Sequence, residues 1–470
     1  LLLDRIRKGK VLVIGMGRSG LAAARFLLKM GAKSIIANDH REYTRLEKAV
    51  IDLAKHTEVE LISGGHPLSL LTEEVTLVVK SPGVPPQLDI FEKAGSNNIP
   101  VISEIELAYP FLKAPIIGIT GTNGKTTTTL LTAEIFERGG IKKVFTAGNI
   151  GKPLCDVASE SKAGDIIIAE LSSFQLDNII NFRPFVALIL NITADHLDYH
   201  KSRDEYIHAK EKIFLNQGVS DVAVFNAMDE VVYAMHKRSA AAPVFFSGGS
   251  FLEEGFCVND STLGICQKGN FLGICGEKEL TMPGKHNLEN ALAAAAAAWA
   301  GGVDLNAIKE GLCNFKGVEH RLELVQVINN ISFVNDSKGT NPEACQKALE
   351  SFPGKSKILI AGGKDKEADF TSLIYSIKQN GVKYLILLGE TAPKIKEAAM
   401  ASGITDLQIT GTLEEAVELA WKQAGEGDVI LLSPACASWD MFKDYEERGC
   451  LFKEIVYELG KTRINKGGGF

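Results

Sequence analysis

Short apolar runs alternate with longer stretches of helical periodicity along the chain. The pattern predicts a strand over 10–14, a helix over 21–30 after a glycine-rich turn, and strands over 33–38 and 75–80. A proline-bounded helix over 104–115 reads as a linker. A second block follows, with strands over 116–119, 165–169 and 185–190, helices over 127–136 and 206–215, and an end near Leu312. The third carries strands over 332–335, 357–361, 383–388 and 428–432, separated by helical stretches. Strands alternating with helices in this way predict an α/β protein of parallel sheets and crossover helices. We divide it into three domains, 1–106, 107–313 and 314–470. The alanine-rich run 291–300 is half the ~20 residues of a membrane span and reads as a packed helix.

Composition agrees and excludes several classes. At roughly 150 residues per domain, 470 residues also give about three. With 45% hydrophobic and 23% charged residues the chain has enough apolar surface to fold. Eight cysteines without paired C-x-x-C spacing do not make a disulfide scaffold. A net charge of 51 − 58 = −7 argues against nucleic acid as a partner. No secretory or membrane segment is evident, so the expectation is a cytoplasmic monomer with reduced thiols. The first residue is Leu1, which reads as a trimmed start, and 466–470 reads as a frayed tail. Glycine is enriched, 45 of 470 against a usual ~7%. Many of these glycines fall in turns after predicted strands, where α/β sheets bind ligands and backbone must approach phosphates.

Two such turns carry candidate chemistry. Gly15-Met-Gly17-Arg-Ser-Gly20 follows a strand, opens a helix and precedes Asp39, as a dinucleotide fingerprint does. NAD(P), another diphosphate ligand and a bare strand–helix junction all stay open for it. Thr120-Gly-Thr-Asn-Gly-Lys-Thr126 is more specific. It follows P-loop logic, with amides around phosphates, Lys125 at the β/γ-phosphates and Thr126 on Mg²⁺, although Ile119 stands at the first glycine position. Its plain alternative is a glycine turn with a surface lysine.

Other residues gather around this loop. Glu170 ends an apolar strand, where a metal-holding acid or a solvated carboxylate fits. Asn191 and Asp195-His196 reach the same edge. His196 and His200 stand at i, i+4, but zinc lacks a nearby third soft ligand, so a histidine beside a Mg²⁺–phosphate site is favoured. Lys210 falls on the apolar stripe of Tyr206, Ile213 and Phe214, as a snorkelling lysine or as one held in the site and chemically modified. In the third block, His320-Arg321, Asp336-Ser-Lys338-Gly-Thr340-Asn341 and Ser433-Pro-Ala-Cys-Ala-Ser438-Trp439-Asp440 supply cations, an anion and hydroxyls. Each alone could be a capped turn.

Together these motifs resemble the Mur ligases, ATP-dependent amide-bond formers of peptidoglycan synthesis. The resemblance lies in the Thr120–Thr126 loop, His286-Asn287 with Asn290, His320-Arg321 and the Asp336–Asn341 run, in order along the chain. Glu170-Leu-Ser-Ser-Phe-Gln-Leu176 and the run 433–442 resemble the D-glutamate-adding branch in particular. The resemblance implies a Rossmann-like N-terminal domain, a central P-loop-type mononucleotide-binding α/β domain and a C-terminal Rossmann-like α/β domain that binds the incoming amino acid. It implies ATP, the small-molecule substrates UDP-N-acetylmuramoyl-L-alanine and D-glutamate, an acyl-phosphate intermediate, and two Mg²⁺ ions. Carried over by position, Ser19, Asp39, Arg41, Ser81, Gly83, Asn149 and Ser172 would hold the UDP-substrate. Gly121, Thr122, Asn123, Gly124, Lys125, Thr126, Asn287, Asn290, Arg321 and Asp336 would hold ATP. Thr340, Lys366, Ser438 and Tyr445 would receive D-glutamate, with Lys364 the alternative lysine. Thr126, Glu170, His196 and a carbamylated Lys210 would serve the metal, and Lys125, Glu170, His196, Lys210 and Lys338 would be catalytic. His196 is also the candidate base for the amine. The implied ATP site draws on two domains, so closure is expected. The alternatives are another Mur or folylpolyglutamate-type ligase and an NAD-dependent dehydrogenase.

Overall fold

The computed structural model describes residues 2–193, 199–282, 284–365 and 368–464, with 462–464 described by their backbone alone. His196 and Lys366 therefore lie outside the described residues. The chain forms two compact units, one of 1–280 with 286–315 and the other of 281–285 with 316–470.

The first unit holds two sheets. One consists of β1 (Lys10–Ile14), β2 (Ile35–Asp39), β3 (Val59–Ser63), β4 (Val75–Lys80) and β5 (Val101–Ser103), all parallel in the order β3-β2-β1-β4-β5. Strand order reverses between β1 and β4, and this opens a crevice at their C-terminal ends. The other sheet comprises β6 (Ile116–Thr120), β7 (Val144–Gly148), β8 (Ile166–Glu170), β9 (Val186–Ile189), β10 (Val222–Asn226), β11 (Ala242–Ser247), β12 (Gly255–Asn259), β13 (Thr262–Gln267) and β14 (Asn270–Gly276). Its order is β14-β13-β12-β11-β10-β9-β6-β8-β7, so β6 and its loop lie between β8 and β9. The helices Lys125–Arg138 and Arg203–Leu215, and Lys285–Ala300 from its second residue on, belong to this part.

The second unit has β15 (Glu323–Ile328), β16 (Ile331–Asn335), β17 (Lys357–Ala361), β18 (Val382–Leu387), β19 (Leu407–Ile409) and β20 (Val429–Leu432). They are ordered β15-β16-β20-β17-β18-β19. Central β20 brings its loop beside those after β16 and β17.

The expected parallel sheets carry antiparallel edges that the apolar pattern did not predict: β12-β13-β14 and β15-β16. Each hairpin turns on two left-handed residues, Asp260-Ser261, Lys268-Gly269 and Asn329-Asn330, the conformation that matches strand twist in a two-residue loop. The expected linker also differs. Residues Glu104–Ala108 form a helix whose side chains are all buried, and Ile105, Leu107 and Ala108 belong to a core shared by both sheets. Glu106 accepts the backbone N–H groups of Ile180, Asn181 and Phe182 at 2.8–3.0 Å. The segment is a weld, because the bonding capacity of its acids is turned inward.

Candidate active site

In the glycine turn after β1, three glycines have separate reasons. Gly15 has φ +86°, a Cβ on Gly20 would stand 1.9 Å from the Gly15 carbonyl, and a Cβ on Gly17 would meet nothing within 4 Å. Gly20 thus permits close helix–strand packing, while Gly17 leaves the mouth of the loop open. Asp39, at the end of β2, is buried and fully engaged. It accepts the Met16 N–H at 2.7 Å and the Arg41 side chain at 2.9 and 3.0 Å. Burial works against its charge, but the Arg41 bonds outweigh that and bring it down to about 2. Arg41 is therefore fixed at the crevice by Asp39. The Ser81 hydroxyl donates to the Gly15 carbonyl at 2.6 Å, and Gly83 borders open space.

The P-loop after β6 is tightly braced. Gly121 and Gly124 have φ of +152° and +85°, and a Cβ on Gly124 would stand 2.3 Å from Asn290 Oδ1. Asn191 holds Asn123 from both sides, accepting its N–H at 2.9 Å and donating to its carbonyl at 3.1 Å. The Thr122 hydroxyl accepts the Thr193 N–H and lies 3.0 Å from the Tyr206 hydroxyl. Asn287 accepts a bond from Asn290 at 3.3 Å within the same unit. Lys125 Nζ donates to the Gly121 and Thr122 carbonyls at 2.9 and 2.7 Å. Lys210, 2% exposed, donates to the same Gly121 carbonyl at 2.8 Å and lies over the Tyr206 ring. Two lysine side-chain nitrogens thus converge on one carbonyl of the loop. The snorkelling alternative for Lys210 does not hold.

Glu170 ends β8, as expected, and is 2% exposed. Its Oε1 accepts the Asn149 side-chain amide at 2.7 Å, while Oε2 is buried without a hydrogen-bond partner among the described residues. An orphaned carboxylate oxygen beside the Thr126 loop fits a hard divalent cation. Ser172 caps the turn Ser173–Leu176 through a capping box with Gln175, which occupies its hydroxyl. His200 bonds the Ser173 hydroxyl at 3.0 Å.

In the second unit, His320 and Leu322 both have positive φ, +62° and +45°, on either side of Arg321. Arg321 Nε is buried without a partner among the described residues. Asp336 accepts the Ser433 hydroxyl at 2.7 Å, and burial pushes its carboxyl up to about 6. Lys338 Nζ lies 5.4 Å from the centre of the Tyr445 ring. Ser438 is buried, and its carbonyl accepts the Met441 and Phe442 N–H groups. Thr340 donates its N–H to the Lys338 carbonyl at 2.9 Å. Lys364 is ion-paired with Glu390 at 2.6 Å.

Three domain families match along the chain: Mur ligase MurD-like N-terminal domain over 9–103, Mur ligase middle domain over 119–298, and Mur ligase glutamate ligase domain over 320–436. The UDP-N-acetylmuramoylalanine–D-glutamate ligase of Pelotomaculum thermopropionicum is 46% identical over 98% of this chain and 100% of its own length. The chain belongs to the UDP-N-acetylmuramoylalanine–D-glutamate ligase family. A Clostridioides difficile member is 43% identical over 96% of this chain and 98% of its own. Among solved structures, the UDP-N-acetylmuramate–alanine ligase of Thermotoga maritima superposes with TM-score 0.60 at 21% identity, covering 96% of this chain and 99% of its own. The MurF ligase of the same organism, in complex with ADP, gives 0.57 at 17%, covering 100% and 98%. These two share the fold.

Membership in the D-glutamate ligase family removes the dehydrogenase alternative for the first glycine turn. Three further residues order the loops of their own units without having been sequence candidates, and a fourth, Asn191, was noticed without its role. Arg18, inside that turn, donates to the Gly148, Asn149 and Gly151 carbonyls at 2.6–3.3 Å and so ties the first sheet to the second. Lys80, the last residue of β4, is buried against Tyr199, and burial pushes its ammonium down to about 8. Asn191 was noticed at the right edge, but its bracing role was not. Arg448 is 2% exposed and bonds Ser337 through Nε and Nη2 at 3.0 and 2.9 Å, and the Cys436 carbonyl at 3.3 Å. Its neighbours Glu446 and Glu447 make the segment read as a solvated helix face, which conceals it.

Proposed function

We propose that this chain joins D-glutamate to UDP-N-acetylmuramoyl-L-alanine, using ATP and releasing ADP and phosphate, in peptidoglycan precursor synthesis. The observation that carries the reading is the near end-to-end similarity to D-glutamate ligases together with a braced glycine loop that holds Lys125 beside the orphaned oxygen of Glu170. The alanyl carboxylate attacks the γ-phosphate to give an acyl phosphate. The D-glutamate amine then attacks the acyl carbon, and phosphate leaves. Bringing carboxylate and phosphate oxygens to about 4 Å costs roughly 4 kcal/mol at an effective dielectric of 20, about a thousandfold in rate. Lys125 offsets that repulsion with charge already in position, and Arg321 and Lys338 are assigned the same duty.

The duties divide by domain, 1–106 for the UDP-substrate, 107–313 for ATP and 314–470 for the incoming amino acid. Arg41, Ser81, Gly83 and the Ser19 helix start take the diphosphate end, with Asp39 acting through Arg41. Asn149 and Ser172 take the muramoyl end. Gly121 to Thr126, Asn287, Asn290, Arg321 and Asp336 take ATP, and Thr340, Ser438 and Tyr445 take D-glutamate. Glu170 and Thr126 would hold Mg²⁺, which when bound neutralises phosphate charge. Lys210 takes up CO₂ as a carbamate, its amine adding to the carbon with loss of one proton. The carbamate nitrogen keeps an N–H for Gly121, and the anion gives the buried site a second metal-facing carboxylate. Release of ADP with UDP-N-acetylmuramoyl-L-alanine and D-glutamate tests the reaction; turnover with L-glutamate or L-lysine in place of D-glutamate would overturn it.

A further inference from the structure

Of the eight cysteines, Cys450 is the exposed one. It stands near the start of the helix Tyr445–Ile464, with Sγ 3.9 Å from His320 Nε2. Glu319 Oε1 lies 3.8 Å from the same nitrogen, and the three donor atoms are all within 4.8 Å of one another. Nothing in the proposed reaction uses these side chains. Zinc bonds of about 2.0–2.1 Å to nitrogen, 2.3 Å to sulfur and 2.0–2.2 Å to oxygen place tetrahedral donors about 3.3–3.6 Å apart. The two distances to His320 need a contraction of a few tenths of an ångström, and the exposed Glu319 and Cys450 side chains must close on each other by up to about 1.2 Å.

The third donor is already fixed. The His320 ring is buried, with Asn335 Nδ2 3.0 Å from its Nδ1 and the Tyr445 ring edge-on at 6.2 Å. It lies so close to the helix that a Cβ on Gly449 would stand 2.2 Å from Nδ1. We propose that Glu319, His320 and Cys450 bind one Zn²⁺, with water as the fourth ligand. The mixed sulfur, nitrogen and oxygen set favours zinc over the hard magnesium ion.

Binding has identifiable opposing costs. Lys453 pairs with Glu319 and, at 3.1 Å, with Glu323, so the ion displaces it from Glu319 and leaves it on Glu323. The Cys450 thiol releases its proton to solvent as the Zn–S bond forms. Zinc on Nε2 leaves the imidazole proton on Nδ1, where the Asn335 amide nitrogen stands 3.0 Å away as a donor, so that contact has to open and is a further cost. Asn335 Nδ2 keeps Glu323 Oε2 and the Gly449 carbonyl at 3.1 and 3.2 Å. The bound ion holds the turn that precedes Arg321, so zinc is expected to inhibit.

The test is a titration of the full-length, reduced, magnesium-free chain with Co²⁺ as an optical stand-in for zinc. The expected result is a thiolate-to-cobalt charge-transfer band saturating at one ion per chain and abolished by Zn²⁺. Cys450→Ser should remove the band, and Glu319→Gln should weaken Co²⁺ binding at least tenfold. Zinc inhibition should be relieved in Cys450→Ser. Absence of the band in the unmodified chain, or an unchanged band in Cys450→Ser, would overturn the assignment. Cobalt bound in the magnesium site gives no thiolate band and counts against it equally.

Discussion

Glu104 makes the stability of the first unit depend on pH near neutrality. It is 1% exposed, and Oε1 accepts the Cys155 N–H at 2.6 Å while Oε2 is buried without a partner among the described residues. Burial pushes its carboxyl from the ordinary 4.5 up to about 7. Because the folded value lies above the unfolded one, the folded chain binds the proton more tightly. The stabilisation is full below pH 4.5, falls as pH rises towards about 7, and is flat beyond. The difference corresponds to about 3 kcal/mol. Glu104→Gln keeps the shape and an acceptor for Cys155 but cannot ionise. From about pH 5 to about pH 8, the variant should therefore gain about 2–3 kcal/mol relative to the parent chain. Urea unfolding can be followed at Trp299, which packs edge-on against Phe256 in this unit, after Trp421 and Trp439 in the other are replaced by Phe. If the two chains lose stability in parallel across this range, Glu104 is not buried as a neutral acid and the reasoning fails.

Asp39→Asn weakens the hold on Arg41, so UDP affinity should fall about tenfold to a hundredfold, readable by calorimetry, with ATP affinity unchanged. Gly124→Ala places a Cβ against Asn290 at φ +85° and should abolish nucleotide binding while the fold, followed by circular dichroism, persists. Lys210→Ala should abolish turnover, and removal of CO₂ should lower the parent's activity reversibly; retained activity in the variant would refute the carbamate. Arg448→Met leaves the Ser337 and Cys436 carbonyls without their donor and should cost the second unit about 2–4 kcal/mol in urea unfolding followed at Trp421 and Trp439.

Most residues of the candidate site were legible locally. The Gly15–Gly20 and Thr120–Thr126 turns and Glu170 at a strand end are short-range patterns, because a phosphate loop needs its glycines and its lysine within a few residues. The apolar periodicity also placed Lys210 on a buried stripe. Arg448 and Glu104 carry no such signal. Each lies in a charged, helix-forming stretch, and only the partners, Ser337 and Cys155, distinguish an inward from an outward charge. The hairpins β12-β13-β14 and β15-β16 escaped because weakly alternating edge strands lack the continuous apolar run of a central parallel strand.

The sequence by itself determined which residue types could cradle phosphate and in what order the three α/β blocks follow one another. Tertiary structure decided which charges are buried and what they hold: Asp39 on Arg41, Arg18 on the carbonyls after β7, and Glu106 on the backbone N–H groups of Ile180, Asn181 and Phe182. It also made the 104–108 helix a weld where the sequence suggested a linker. The physical reason is range. Local patterns report backbone conformation and one-sided burial, whereas desolvation and hydrogen bonding depend on groups tens of residues away along the chain.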